Sequence, residues 1–303
     1  MRKFMLFLLL LPILFACSKE GSKIERYTVY DKVIDHSKPL AMGDDRDVYV
    51  FCDSIDWQGL KPFIGSAIEQ QINIVYPEQY FNLVIADIKD VKRLSKFKNL
   101  VYIGNLESDL PVSIYMKSVL NQDFIKRVQQ TGGELFTSEN LNCCDQIVLF
   151  LFGKDAKSLQ KIGALQAENI FSLLLKRFTN RQGYYAYQGK VIDLSFFDNY
   201  PFSLKIPDTY RLYSNDKVGR FLCFLYRARL ENREIPDKYI SVYYEPMPEN
   251  KVDLNWLIAK RQEIGKKYFE GDEFDPELVR KEPFTFKKHP GYRLLGAWKN
   301  MKY

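Results

Sequence analysis

Gln146-Ile-Val-Leu-Phe-Leu-Phe152 is the most apolar run of the chain beyond its N-terminal segment, and it is too short to cross a bilayer. Its side chains offer no polar face, which is the pattern of a central strand covered on both sides. A strand covered on both sides needs helices on both sides, so this run points to a layered α/β fold. The next segment agrees. Asp155 is placed to cap a long helix whose apolar stripe is Leu159, Ile162, Ala167, Ile170, Phe171, Leu174 and Phe178, ending near Asn180.

Working upstream, Val48-Tyr-Val-Phe-Cys52, Phe81–Ala86 and Leu100–Ile103 read as further strands. Trp57, Leu60, Phe63, Ile64, Ala67 and Ile68 recur at helical spacing, with Pro62 tolerable only near a helix start. Lys89–Phe97 reads as a short basic helix, and Pro111–Gln130 as a helix stopped by Gly132-Gly133. Residues 46–180 therefore alternate strand and helix, an α/β domain. Gln182-Gly-Tyr-Tyr185 and Asp198-Asn-Tyr-Pro201 break the pattern, so residues 181–200 are expected to be a linker.

Residues 201–303 then read as an antiparallel sheet with a helix packed on it. Phe202-Ser-Leu-Lys-Ile206 alternates like a half-exposed strand, and Arg220–Arg227 and Tyr239–Tyr244 follow. A helix capped by Asp253 carries Leu254, Leu257, Ile258, Ile264 and Tyr268 on one face. Glu282–Phe286 and Tyr292–Trp298 read as two final strands. The chain stops five residues after Trp298, so that last strand is expected either to belong to a truncated product or to be covered by a partner or by the leader.

The chain begins with Arg2 and Lys3, an apolar run from Phe4 to Phe15, and then Ala16-Cys17. Charge holds such a start on the cytoplasmic side while the apolar run enters the bilayer. Twelve residues make roughly 18 Å of helix, well short of the ~30 Å hydrocarbon core, so residues 1–16 read as a signal peptide rather than a permanent span. Leu14-Phe15-Ala16-Cys17 resembles the bacterial lipobox, with Phe15 bulkier than usual, which makes Cys17 the expected lipidation site. Ser18 after the cysteine resembles outer-membrane cargo. Residues 17–45 are mostly polar and read as a flexible tether and leader.

The formal charge is +6 for the whole chain, and +4 once Arg2 and Lys3 are removed with the signal peptide. That is too dilute over the remaining residues to argue for nucleic acid. Four cysteines remain after Cys17: Cys52, Cys143, Cys144 and Cys223. An exported compartment permits disulfides between them. Cys52 and Cys223 sit in apolar runs, however, and Cys143-Cys144 lacks metal-ligand spacing, so free or structural thiols are expected.

The two histidines, His36 and His289, have no second histidine or carboxylate at metal-ligand spacing. No nucleophile elbow, zinc-protease or dinucleotide motif occurs. Gly183-Tyr-Tyr-Ala-Tyr-Gln-Gly189-Lys190 fails as a phosphate loop, with five residues between its glycines and Val191 where Ser or Thr is needed. The acidic stretch Glu270–Asp275 lacks an EF-hand pattern. Trp57, Trp256 and Trp298 are candidates for a sugar groove, with core packing the commoner role. The tyrosine-rich segment Gly183–Tyr187 is a candidate binding surface or interdomain hinge, with hinge packing favoured. No cofactor and no catalytic residue is assigned.

Taken in order, Asp47–Trp57, Phe81–Ile103 and Gln146–Asp155 with its long helix resemble the first half of the DUF4837 family. Phe202–Pro207 with Tyr210, Tyr243-Tyr-Glu-Pro246, Leu257–Arg261 and Gly296-Ala-Trp298 fall in that family's order too. Its members are lipoproteins of Bacteroidetes-type bacteria without an assigned function. The resemblance implies a lipid anchor and no activity, and it implies further strands and a closing helix beyond the Gly-x-Trp strand. The second part is also similar to the Mog1/PsbP-like sandwich. The expectation is a membrane-anchored envelope lipoprotein, a non-catalytic binding or assembly module with an envelope protein as possible partner. Its rival is a hydrolase or a small-ligand binder, for instance of glycans, with its site between the two domains.

Overall fold

A computed structural model describes residues 33–73, 77–186, 188–230, 233–234, 237–246, 253–275, 279–286, 289–296 and 298–299. Cys17 and the expected signal peptide lie outside the described residues. The described residues form two compact units, divided so that those up to 71 and from 78 to 188 make the first, and those between 72 and 77 and from 189 onwards make the second.

The first unit is built on five strands: β1 (Asp47–Cys52), β2 (Asn82–Ala86), β3 (Asn99–Asn105), β4 (Gly133–Glu139) and β5 (Ile147–Gly153). They lie in the order β2-β1-β3-β5-β4, parallel except for β4. The mixed α/β architecture expected from the sequence is therefore present. Strand β5 is buried along its whole length, as its composition requires.

Because side chains alternate across a strand, each buried strand feeds two cores. On one face stand Val48, Val50, Val101, Ile103, Ile147, Leu149 and Leu151. Helix α1, which runs Ser54–Leu60, through a π turn at Lys61–Gly65, to Ser66–Ile68, covers this face together with α5 (Ala156–Ala186). The two helices meet closely at Gly163, where a Cβ would stand 2.3 Å from Leu60 Cδ2. On the other face stand Phe51, Leu100, Tyr102, Val148, Phe150 and Phe152. Short helices cover it: α2 (Val91–Leu94), α3 (Pro111–Val119) and α4 (Gln122–Thr131).

Several expectations need correction. Pro62 sits inside the first helix rather than at its start, and the π turn there accommodates its missing N–H. The expected helix over Pro111–Gln130 is two helices, because Leu120 is extended and the Asn121 side chain caps α4 by accepting from Phe124 N (2.9 Å). The basic helix at Lys89–Phe97 shrinks to a 3-10 turn and one α turn. Strand β4 was not anticipated. Helix α5 continues past Asn180 to Ala186, through the first six residues of the expected linker, because Arg181 and Tyr184 are buried.

The end of the expected leader is also part of this unit. Val33 and Ile34 pack on Cys144 and Tyr184. Leu40 bridges to Cys144 and Met42 to Phe97. The segment runs as a strap along the edge where β3 and β5 begin.

In the second unit, β6 (Arg211–Asp216), β7 (Phe221–Tyr226) and β8 (Lys238–Tyr243) form an antiparallel sheet in the order β8-β7-β6. Leu222 and Phe224 pack on one face against Phe197 and Ile206. Phe221 and Cys223 pack on the other with Phe269, and Phe221 stacks on Tyr268 at 3.8 Å. Tyr268 ends helix α6 (Leu254–Tyr268), which Asp253 caps as expected. Phe202–Ile206 is not a strand, although its alternation is real: Ile206 is buried and accepts a hydrogen bond from Ile192 N (2.9 Å). Phe197, in the second half of the expected linker, is a core residue of this unit. A hairpin pairs β9 (Arg280–Phe286) with β10 (His289–Leu295), and His289 opens the second strand.

Candidate functional site

Parallel sheets usually bind ligands beyond the carboxyl ends of their strands, where the strand order reverses. In this sheet the reversal lies between β1 and β3. The chain's own side chains fill it. Asp53, directly after β1, accepts hydrogen bonds from Val112 N (3.2 Å) and Ser113 N (3.3 Å). Its carboxylate thus stands at the N-terminus of α3, where the helix dipole would favour an anion. Asn105, the last residue of β3, donates through Nδ2 to Asp56 Oδ2 (3.3 Å), while its N–H donates to Ser113 Oγ (3.1 Å). Gly104 is required here, because a Cβ would meet Ser113 Oγ at 2.7 Å. Burial first, and the Asp53 charge second, raise the Asp56 carboxyl above its ordinary range.

Open space lies elsewhere in this unit, on the aromatic face among other places. A cavity of about 430 Å³ sits over β3, β5 and β4. Its size falls within the range of small-molecule sites. Tyr102, Val148 and Phe150 form its floor, and Phe136 and Ser138 of β4 continue it. Tyr115 and Val119 of α3, with Asn121 and Phe124 of α4, form one wall, and Leu141 and Asn142 close the far side. The helices over this face are short: the crossover from β2 to β3 supplies only α2, and α3 and α4 break at Leu120 and Asn121, which both line the cavity.

Phe51, Tyr102 and Phe150 are register partners on β1, β3 and β5. Their rings stack in one row, at 4.7 and 5.2 Å with planes 5° and 14° apart. Phe136 is the register partner of Phe150 on β4, but its ring turns to Phe124 instead, 4.2 Å away. Arg127 lies over both of those rings from outside and pairs with Glu134 at 3.2 Å. Tyr102 faces Tyr115 at 5.5 Å, and burial, then Tyr115, push its phenol well above the ordinary value. No charged side chain and no thiol stands among the lining residues.

The rim loop between β4 and β5 is held from the opposite face of the sheet. Asn140 and Asp145 have φ of 54° and 64°, a left-handed conformation that costs of order 1 kcal/mol or more outside glycine. Two buried arginines of α5 hold them there. Arg177 Nη2 donates to Asn140 Oδ1 (2.6 Å) and to the strap at Val33 O (2.5 Å). Arg181 Nε donates to Asp145 Oδ1 (2.5 Å), and its Nη2 to Asn99 Oδ1 (2.9 Å). Lys38 of the strap adds bonds to the carbonyls of Asn140 and Leu141. Gln146 donates to the carbonyls of Ser95 (2.7 Å) and Phe97 (2.8 Å). Leu141 and Asn142 are therefore positioned by an over-determined loop.

The residues singled out from sequence lie outside this cavity. His36 stands 3.2 Å from the Tyr184 hydroxyl, and Trp57 packs on the aliphatic core. Trp256 is half-buried on α6, and the Trp298 side chain is outside the description. Gly183–Ala186, the expected hinge, is the last part of α5, and Tyr185 donates to Asp145 Oδ2 (3.4 Å). Cys52, Cys143, Cys144 and Cys223 are buried free thiols. Burial pushes up the first two and raises Cys223 to about 11, which keeps those thiols protonated and unreactive. Among the described residues no cluster of three or more metal-ligating side chains occurs. No family model, no curated protein and no solved structure matches the chain.

Proposed function

We propose that the chain is an exported envelope lipoprotein, held to a membrane by lipid on Cys17, whose α/β unit binds a small molecule in the cavity on the aromatic face of its sheet. The carrying observation is that cavity: about 430 Å³, floored by aromatic rings and edged by a few uncharged polar groups. Its lining residues hold no carboxylate, amine, imidazole or thiol, a composition suited to holding a ligand rather than to acid–base chemistry. The reading of Cys17 rests on the charged, apolar and small-residue order of the N-terminus and agrees with the lipoprotein family the chain resembles.

The strap relates anchor to body. Val33, the point where Arg177 grips the chain, lies sixteen positions after Cys17, and covalent geometry lets that span reach at most roughly 55 Å. A module tethered in this way samples only a thin layer beside its membrane.

Two measurements test the reading. Cys17→Ala should lose the mass of the acyl chains and move to the soluble fraction; unchanged membrane association would sink the anchor. Val119 is 48% exposed at the cavity rim, so Val119→Trp should plug the cavity without disturbing the core. A thermal-shift screen of uncharged metabolites should show stabilisers of the native chain that have no effect on Val119→Trp. Hits that stabilise both proteins equally would place binding elsewhere.

A further inference from the structure

Resting on the cavity reading above, we infer that the ligand is a flat, uncharged ring carrying a carboxamide-like edge, which continues the Phe51–Tyr102–Phe150 stack. The row of rings stops at Phe150, because its partner Phe136 has turned away to Phe124. The cavity is lined by all three of Phe150, Phe136 and Phe124, so it opens where the stack is interrupted. One face of Phe150 is used by Tyr102, and the other is turned towards β4. Phe150 is 8% exposed, so a planar ring entering there meets it along the strip that this exposure leaves.

Charge narrows the class further. The nearby cation, Arg127, lies over the Phe124 and Phe136 rings and is paired with Glu134, and no charged residue lines the cavity. An ionised ligand would lose hydration with nothing to replace it. The polar rim is specific in its hydrogen bonding. The Asn121 oxygen is used in capping α4, which leaves its amino group as a donor. The Asn142 amino group donates to Ser95 O (3.3 Å), which leaves its oxygen as an acceptor. One donor and one acceptor on the rim of one cavity complement an edge that offers an acceptor and a donor, as a carboxamide or a lactam does. Two apolar side chains at the rim, Val119 and Leu141, are 48% and 44% exposed, consistent with a mouth that a ligand would cover.

Three probes separate the elements of this proposal. Benzamide has the flat ring and the edge, benzoate has the same ring with a charge, and cyclohexanecarboxamide keeps the edge on a puckered ring. Saturation-transfer NMR on the full chain in neutral detergent, blanked against detergent alone, should show benzamide binding. Benzoate and cyclohexanecarboxamide should each be weaker by about tenfold, the scale of one lost stacking or desolvation contribution. Phe150→Leu keeps an apolar side chain but removes the ring and should weaken benzamide by a similar factor; Val119→Trp, at an exposed position, should abolish its signal. If cyclohexanecarboxamide binds as well as benzamide and Val119→Trp abolishes both, the cavity binds ligands but the ring-stacking inference is wrong. Equal binding of benzoate overturns the uncharged class, and benzamide binding that survives Val119→Trp, or no benzamide binding at all, overturns the inference as a whole.

Discussion

The two faces of the five-stranded sheet are made by alternate residues of the same strands, yet they are built differently. One is aliphatic, with Ile147, Leu149 and Leu151 of β5 packed under the long α5 and under α1. The other is aromatic, with Phe150 beside Tyr102 and Phe51, under three short helices. Branched aliphatic side chains and continuous helices interdigitate to interior density. Large flat rings held in a row, under helices that do not meet, leave a gap. The difference separates stability from function within one sheet: one face holds the unit together, and the other carries the cavity.

The faces are not independent, and the largest expected effect tests their connection. Arg177 and Arg181 belong to the helix of the filled face but hold the loop that rims the cavity. Arg181→Met would leave Asp145 buried without its partner, which typically costs about 3–5 kcal/mol. Chemical denaturation should report a loss of that size. Adding Asp145→Gly should restore much of it, since it removes the unpaired buried charge and glycine takes a φ of 64° without strain. A single variant as stable as the native chain would show that the loop does not depend on α5.

The comparison itself is sharpened by two neighbours on β5. Leu149→Ala opens a hole in a filled core and should cost about 3–4 kcal/mol. Phe150→Ala removes a larger side chain, but one beside existing open space, and should cost only about 2 kcal/mol, below the usual range for a buried phenylalanine. Paired urea titrations decide it. If Phe150→Ala proves the more damaging, the aromatic face is as tightly built as the other and the cavity is not a feature of its design.

Much of this frame was legible in the residues. The run Gln146–Phe152 predicts a central strand covered on both sides, and the helix after Asp155 covers one of them. Strand β4 was hidden because Glu134, Thr137 and Glu139 dilute Leu135 and Phe136, and its pairing with β5 supplies what its composition lacks. The strap was hidden for a related reason: two buried residues, Val33 and Ile34, sit in a polar stretch, pack on Cys144 and Tyr184, and the Val33 carbonyl is held by Arg177, 144 positions away. The cavity could not be read at all. Its floor combines Tyr102, Phe136 and Phe150, which only the register of three strands brings together. The candidates chosen by residue type, tryptophans, histidines and the acidic stretch, were marked by rarity rather than by position. One signal was available: β5 alternates aliphatic and aromatic residues, Ile147, Leu149 and Leu151 against Phe150 and Phe152, and that alternation separates the two faces.

The smallest expected effect concerns the one acidic side chain on the apolar stripe of α1. Asp56 stands one helical turn before Leu60 on the same stripe, is 7% exposed, and meets Asn105 at the carboxyl end of β3. Burial and the Asp53 charge raise its pKa in the folded chain above the unfolded value. The folded state therefore binds that proton more tightly than the unfolded state does. Through this group, stability is greatest below the ordinary carboxyl pKa and declines as pH rises through the raised folded value. Asp56→Asn keeps a side chain that can bond Asn105 and removes the charge. The variant should match the native chain in acid and exceed it near neutrality by up to about 1 kcal/mol, a rise in Tm of a few degrees. A gain of the same size at every pH would mean that the carboxyl is misplaced sterically rather than electrostatically. A loss near neutrality would show that the charged form is needed at the top of the filled face, so that this face too carries a polar role beyond its packing.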